Sequence, residues 1–327
     1  DNTPIPTLEL NNFVFPHTYK NYSALLNQTQ TWIPCESSLK TVDEFTVNHW
    51  MERLYFERLE VKYSAIETQL LDSNHNWEAV LFWQLAKNFG LKVNGDAFLS
   101  IAKSMAFSVV RKSQHSIHHL EALFFGQAGL LESEAQNAYI SELKNTYEFL
   151  KHKFSLSREG VIPVHFFRLR PPNFPTIRLA QLAGVYSRRS NLFSSIIEAQ
   201  SLEQLYAIFE GSTSSFWNTH YTFEKTSKSS SKTLTKAFMN LLIINTIVPI
   251  KFAFHKFNRY SNPDNVLAII RNIPMEHNSI VDKFHSMYAF GKTALDSQAL
   301  IQLKHMYCSK NKCLQCAIGS AILNRNS

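Results

Sequence analysis

Glycine is scarce in this sequence, at 9 of 327 residues. Hairpins and tight sheet turns draw on glycine for positive φ, so the shortage argues against a sheet-rich fold. Cysteine is scarcer still, at 4, and in a reducing compartment a disulfide is not the expected use of it. Long apolar runs are missing. The most apolar stretch, residues 237–250, is interrupted by Asn240, Asn245 and Thr246, so no bilayer span and no membrane partner are expected. The opening residues lack a basic region followed by an apolar run, and lack Met. The expectation is a processed or excised piece of a cytoplasmic protein, with reduced or metal-bound thiols. No P-loop, dinucleotide-binding glycine motif, Gly-x-Ser-x-Gly elbow or paired-carboxylate signature occurs, which weighs against a self-contained enzyme.

What is present is globular. Hydrophobic residues make up 45% and charged residues 18%, so there is apolar material for a core and no disorder signature. The 25 phenylalanines point to aromatic packing between helices. Lys and Arg outnumber Asp and Glu by 33 to 26, a net charge of +7, compatible with DNA, RNA, an acidic protein or no specific partner.

Periodicity predicts a mostly α fold, a compact multi-helix array with short irregular or β segments near residues 5–12 and 160–176. Residues 1–12 read as a strand remnant or linker. Residues 13–159 and 160–327 read as two helical lobes, or as one continuous domain. Asp43 caps a helix to about Leu71 whose buried stripe is Val47, Met51, Leu54, Leu59, Tyr63, Ile66 and Leu70. A helix from Trp77 ends at Gly90, and Asp96 starts the next. The apolar stretch 116–131 contains Gly126 and Gly129. Each helical glycine costs roughly 1 kcal/mol against alanine, tolerated best where helices approach closely. Ser133 and Glu134 open a further helix with Tyr139, Leu143, Tyr147 and Leu150 on one side. Four prolines in residues 160–178 exclude a continuous helix there, and Thr176 caps the helix that follows. The Ser/Lys-rich residues 226–233 read as a mobile loop. Residues 235–248 read as a buried helix ended by Pro249. Pro263 suits a helix first turn, and Asp296 caps the last helix.

The chemistry-bearing groups are few. Cys308, Cys313 and Cys316 are spaced C-x4-C-x2-C, a pattern that converges on one ion in zinc and iron–sulfur sites. The fourth ligand for a structural zinc would be Cys35 or His305; without one, these are packing thiols. Arg168, Arg170 and Arg178, with Asn173 and Gln181, share a proline-stiffened segment. Guanidinium forks there suit phosphate, and Glu121 and Gln127 could complete an enzyme-like polar site. The alternative is that the arginines brace an irregular loop. Lys225, Lys228, Lys232, Lys236, Lys251, Lys256 and Arg259 form the densest basic run, with Phe252, Phe254 and Phe257 interleaved. His115 and His119 lie one turn apart, but Ser116 stands where a zincin needs Glu. Trp217, His220 and Tyr221 read as core or groove wall.

Several segments together, Pro6 to Leu10, Ile33 to Cys35, Arg58 to Glu60, Ala86 to Gly90, Glu121 to Leu131, Arg168 to Ala183 and Tyr307 to Gly319, resemble a bacterial family catalogued only as a domain of unknown function. The resemblance implies an upstream restriction-endonuclease-like region in full-length relatives, which would precede Asp1. It therefore implies a non-catalytic, nucleic-acid-binding or scaffold role beside that nuclease-like region. A protein-interaction scaffold and an enzyme built on Glu121 are the competing readings.

Overall fold

The structure, a computed structural model, describes residues 6–9, 13–14, 16–26, 31–132, 137–259 and 264–325. It is 68% helical. Among the described residues there is no strand, and β pairing is confined to two isolated bridges, His220–Thr226 and Pro274–Thr293. The mostly α reading holds. Residues 6–9 are coil, while Asn2, Leu10, Ser133, Glu134 and Pro263 lie outside the described residues. Residues 160–174 are irregular apart from the 3-10 turn Pro171–Asn173.

The chain forms two compact units, Asp1–Val61 with Ile270–Ser327, and Lys62–Ile269. Gly160 falls inside the second. In the first, helix Pro16–Leu26 packs on Ala317–Leu323, and Ser279–Met287 on Ala294–Gln302. Asn21 Nδ2 donates to the carbonyls of Leu323 (3.2 Å) and Arg325 (3.1 Å), which occupies carbonyl groups at a helix end. Arg58 Nε donates to Gln298 Oε1 at 2.6 Å, and Gln298 donates to Glu276. Burial pulls the Arg58 guanidinium down, and Glu276 partly restores it.

In the second unit, Ile117–Gln127 packs against Ala138–Phe154 and Pro175–Arg188, and Trp77–Phe89 against Leu91–Lys103. Phe82 sits at the centre, 5.7 Å from the Phe124 ring and 5.2 Å from Tyr186. Gly126 lies flush against the Tyr147 ring, where any Cβ would overlap it. That is the close helix approach for which a helical glycine is tolerated.

Helix Glu44–Asp72 is capped by Asp43, whose carboxylate accepts from Thr46 N at 2.8 Å. Six of its seven stripe residues are buried, Tyr63 being intermediate. Four expected boundaries move. Asp96 lies inside Leu91–Lys103, because Leu91 takes positive φ (55°) and restarts the helix directly after Gly90. Phe174 rather than Thr176 is the cap of Pro175–Arg188; the Thr176 hydroxyl instead donates to Tyr221 O at 2.5 Å. Thr293 caps Ala294–Gln302, with Asp296 returning the bond as the third residue of a capping box.

Pro249 does not end its helix. A π turn, Ile243–Ile247, precedes it, and Val248–Phe257 continues. Proline lacks an N–H and crowds the carbonyl four residues back, and a widened turn absorbs both. Lys62 Nζ meets the loosened turn at Ile244 O (3.4 Å) and Asn245 Oδ1 (3.2 Å). The resulting helix, Lys236–Phe257, is long and apolar enough to cross a membrane by length and composition, and 67% of its most apolar window is buried inside the protein.

Candidate functional site

The polar residues singled out in the sequence do not gather in one place. Glu121 is wholly buried on Ile117–Gln127. Its carboxylate accepts from Tyr139 Oη (2.7 Å), Ser214 Oγ (2.9 Å) and Trp217 Nε1 (3.1 Å). Gln127, also fully buried, accepts from Tyr147 Oη (2.9 Å) and donates to Ser104 Oγ (3.0 Å) and Ser157 O (3.2 Å). Arg178 is 8% exposed. It donates to Gln181 Oε1 (2.8 Å) and Asn173 Oδ1 (2.5 Å), and its guanidinium carbon lies 3.6 Å from the centre of the Phe238 ring. Gln181 passes the connection on to Lys232 O at 2.9 Å. Arg178, Asn173 and Gln181 therefore brace the irregular segment. Burial alone holds the Arg178 guanidinium down at about 10.

Arg168 and Arg170 behave differently. Both are exposed. Arg168 takes positive φ (61°) and lies 5.1 Å over the Phe167 ring, itself 77% exposed. Beside this loop is a cavity of about 410 Å³ lined by Leu130, Phe166, Phe174 and Phe223 together with Thr176, Thr222 and Glu224. Glu121 does not line it. A second cavity, about 280 Å³, touches Gln127 and Arg158.

Two lysines expected on the basic surface are buried. Lys251 is 0% exposed and its ammonium donates to the carbonyls of Ile196 (3.0 Å), Ile197 (2.7 Å) and Ala199 (2.8 Å), at the C-terminal end of Leu192–Glu198. A cation there satisfies orphan carbonyls and complements the helix dipole; burial nonetheless pushes it down to about 8. Lys232 donates to Ser230 O (3.0 Å) and lies 4.1 Å over Tyr221. The Ser/Lys-rich loop is pinned as well, through Ser227 N to Thr219 O (2.6 Å) and Ser230 N to Asn218 O (2.8 Å). Lys225, Lys228, Lys236, Lys256 and Arg259 are exposed. Phe254 turns inward onto Trp77 at 5.2 Å. His220 stacks on Phe216 at 3.9 Å, a wall position. His115 and His119 rings meet at 5.0 Å.

The cysteines belong to the first unit and are all free; Cys35, Cys313 and Cys316 are buried and Cys308 is intermediate. Burial is the main cause that raises every thiol, Cys35 to about 12. Beyond burial, Cys308 feels Cys35, Cys316 and Cys313, Cys35 feels Cys316 and Cys313, and Cys316 feels Cys313. Only Cys308 is acted on by all three of the others, and His305, which is exposed, is not among the groups acting on any of them. Among the described residues no three His, Cys, Asp or Glu side chains converge tightly enough to hold an ion as they stand.

The buried Glu121 carries a prediction. Burial, only partly offset by its three donors, raises the carboxyl from 4.5 to about 7. The folded state therefore binds the proton more tightly than the unfolded chain. Stability is fully present below about pH 4.5 and falls as pH rises through 7, by about 3 kcal/mol. Gln mimics the protonated acid. The stability difference between Glu121→Gln and the native chain should shift in favour of the variant by that amount between pH 4.5 and 8. A difference that is flat across this range would rule the account out.

Helical in both units, with no assembled catalytic centre among the predicted residues, the fold defines a helical protein class rather than a reaction. A family model described as "Protein of unknown function (DUF2851)" matches residues 1–279, and the chain belongs to that family. No curated protein and no solved structure shows significant similarity to it.

Proposed function

We propose that the chain is a non-catalytic, nucleic-acid-contacting region of a larger nuclease-like bacterial protein, and that Lys62–Ile269 supplies the contact. The partition of charge carries this reading. Residues 62–269 hold 22 of the 33 Lys and Arg but 15 of the 26 Asp and Glu, so the whole +7 excess lies there; the other unit has 11 of each. Segregated positive charge is the electrostatic footprint of a phosphate partner. The exposed Arg168 and Arg170 on a proline-stiffened loop supply forks for phosphate oxygens. Exposed Phe167 and the aromatic-walled cavity beside Phe166 suit stacking with unpaired bases.

The test is a pair of double variants in a salt-dependent binding assay with single-stranded and duplex oligonucleotides. Arg168→Ala with Arg170→Ala should lower the slope of log K against log salt by about 1.4 to 1.8, since each phosphate contact contributes roughly 0.7 on single strands and 0.9 on duplex. Lys20→Ala with Lys40→Ala removes equal charge from the first unit and should leave the slope unchanged. Equal effects of the two pairs would refute the assignment to the loop.

A further inference from the structure

We infer that Cys35, Cys308, Cys313 and Cys316 form a four-thiolate site for one structural zinc ion, which ties residues 32–36 to the C-terminal segment. These are all the cysteines of the chain, and the fold brings them into one unit from opposite ends of the sequence. Lys304 Nζ donates to Trp32 O at 2.8 Å and lies 4.2 Å over the Trp32 ring, and the 3-10 turn Leu39–Thr41 packs on Ala317–Leu323. The two cysteine-bearing segments are thus held side by side without help from the sulfurs.

The local backbone is built for thiolates. Cys316 N donates to Cys313 O at 3.2 Å, closing the C-x2-C turn, and Asn311 takes positive φ (51°) to reverse the C-x4-C loop. Gly319 allows the Cys313 carbonyl to sit against its Cα. A separate observation points to an anionic sulfur. Trp50, 4% exposed and packed on Tyr307, the neighbour of Cys308, has a buried Nε1–H without a hydrogen-bond partner. A buried donor left unpaired is costly; a metal-bound thiolate would accept from it. Trp50 is itself fixed, by Tyr307 at 5.3 Å on one side and the Arg53 guanidinium at 5.3 Å.

Four sulfurs and no oxygen or imidazole select zinc or iron over hard cations, and a closed, mostly buried set is the structural arrangement. The thiols must rotate inward to ligate, and binding releases their protons to solvent. No electron is transferred.

The full chain, purified without chelator, should hold about one zinc per chain by elemental analysis. A chelator should release it, expose four reactive thiols and lower the Tm. Cobalt(II) loading of the zinc-free chain should give thiolate-to-cobalt absorption. Cys308→Ser, at the least buried position, should lose tight zinc binding and the chelator effect on Tm; Cys35→Ser should do the same, and the cobalt spectrum of the native chain stands even if either variant fails to fold. His305→Ala should retain the ion. Stoichiometric iron would keep the four-thiolate site and overturn zinc. Four freely reacting thiols in zinc-supplemented chain, with a Tm indifferent to chelator, would overturn the site.

Discussion

Trp217→Ala should destabilise the second unit by about 5 kcal/mol, the largest single effect expected in the molecule. Trp217 is the largest fully buried side chain. Its ring lies 5.4 Å from Phe125, 5.3 Å from Phe223 and 5.1 Å from Phe216. Truncating a buried tryptophan costs about 3–5 kcal/mol in transfer and cavity terms. Losing its N–H also strips one donor from buried Glu121, worth about 1–3 kcal/mol when the carboxyl is charged. Trp217→Phe separates the two contributions. It keeps a six-membered ring in place and loses the donor with the rest of the indole, so it should cost about 2 kcal/mol or somewhat more, with the penalty growing above pH 7 as Glu121 ionises. Denaturant unfolding of both variants at pH 6 and 8 checks this; equal penalties for Ala and Phe would show that packing around Trp217 contributes little.

Gly319→Ala should cost about 3 kcal/mol in the first unit, the upper end of ordinary overpacking. A Cβ at Gly319 would fall 2.9 Å from the Cys313 carbonyl carbon and closer still to its oxygen. Both are backbone atoms, so relief requires reshaping the cysteine turn, and tight zinc binding should be lost with it. Gly160 is the comparison. It has positive φ (76°) but nothing within 4 Å of a Cβ. Gly160→Ala should therefore cost only the left-handed backbone strain, about 1 kcal/mol. If thermal unfolding ranks the two alike, close approach is not what Gly319 provides.

The features read correctly from sequence are those decided within a few residues. Asp43 as a cap and the buried stripe of Glu44–Asp72 rest on a local hydrogen bond and on helical spacing. The misread features depend on distant partners. Lys251 follows an apolar stretch and precedes Phe252, a pattern equally consistent with a snorkelling surface lysine; its three carbonyls come from residues more than fifty positions away. An interior proline ends or kinks most helices, and the π turn before Pro249, met by Lys62, changes that outcome. Gln181 donates to the carbonyl of Lys232, which lies in a loop whose composition suggested mobility. Glu121 was legible as a polar-site candidate, but its donors Ser214 and Trp217 lie more than ninety residues on. The cysteine spacing was legible too. Cys35 was named with it, as was His305, and the fold places Cys35 in the same unit as the other three cysteines.

The measurement that bears most directly on the proposed role is the affinity of the intact chain for a labelled single-stranded oligonucleotide across a salt series. Counterion release from phosphates contacted by Lys62–Ile269 predicts tight binding at low salt and a log K that falls linearly with log salt. No binding at low salt, or an affinity indifferent to salt, would contradict it.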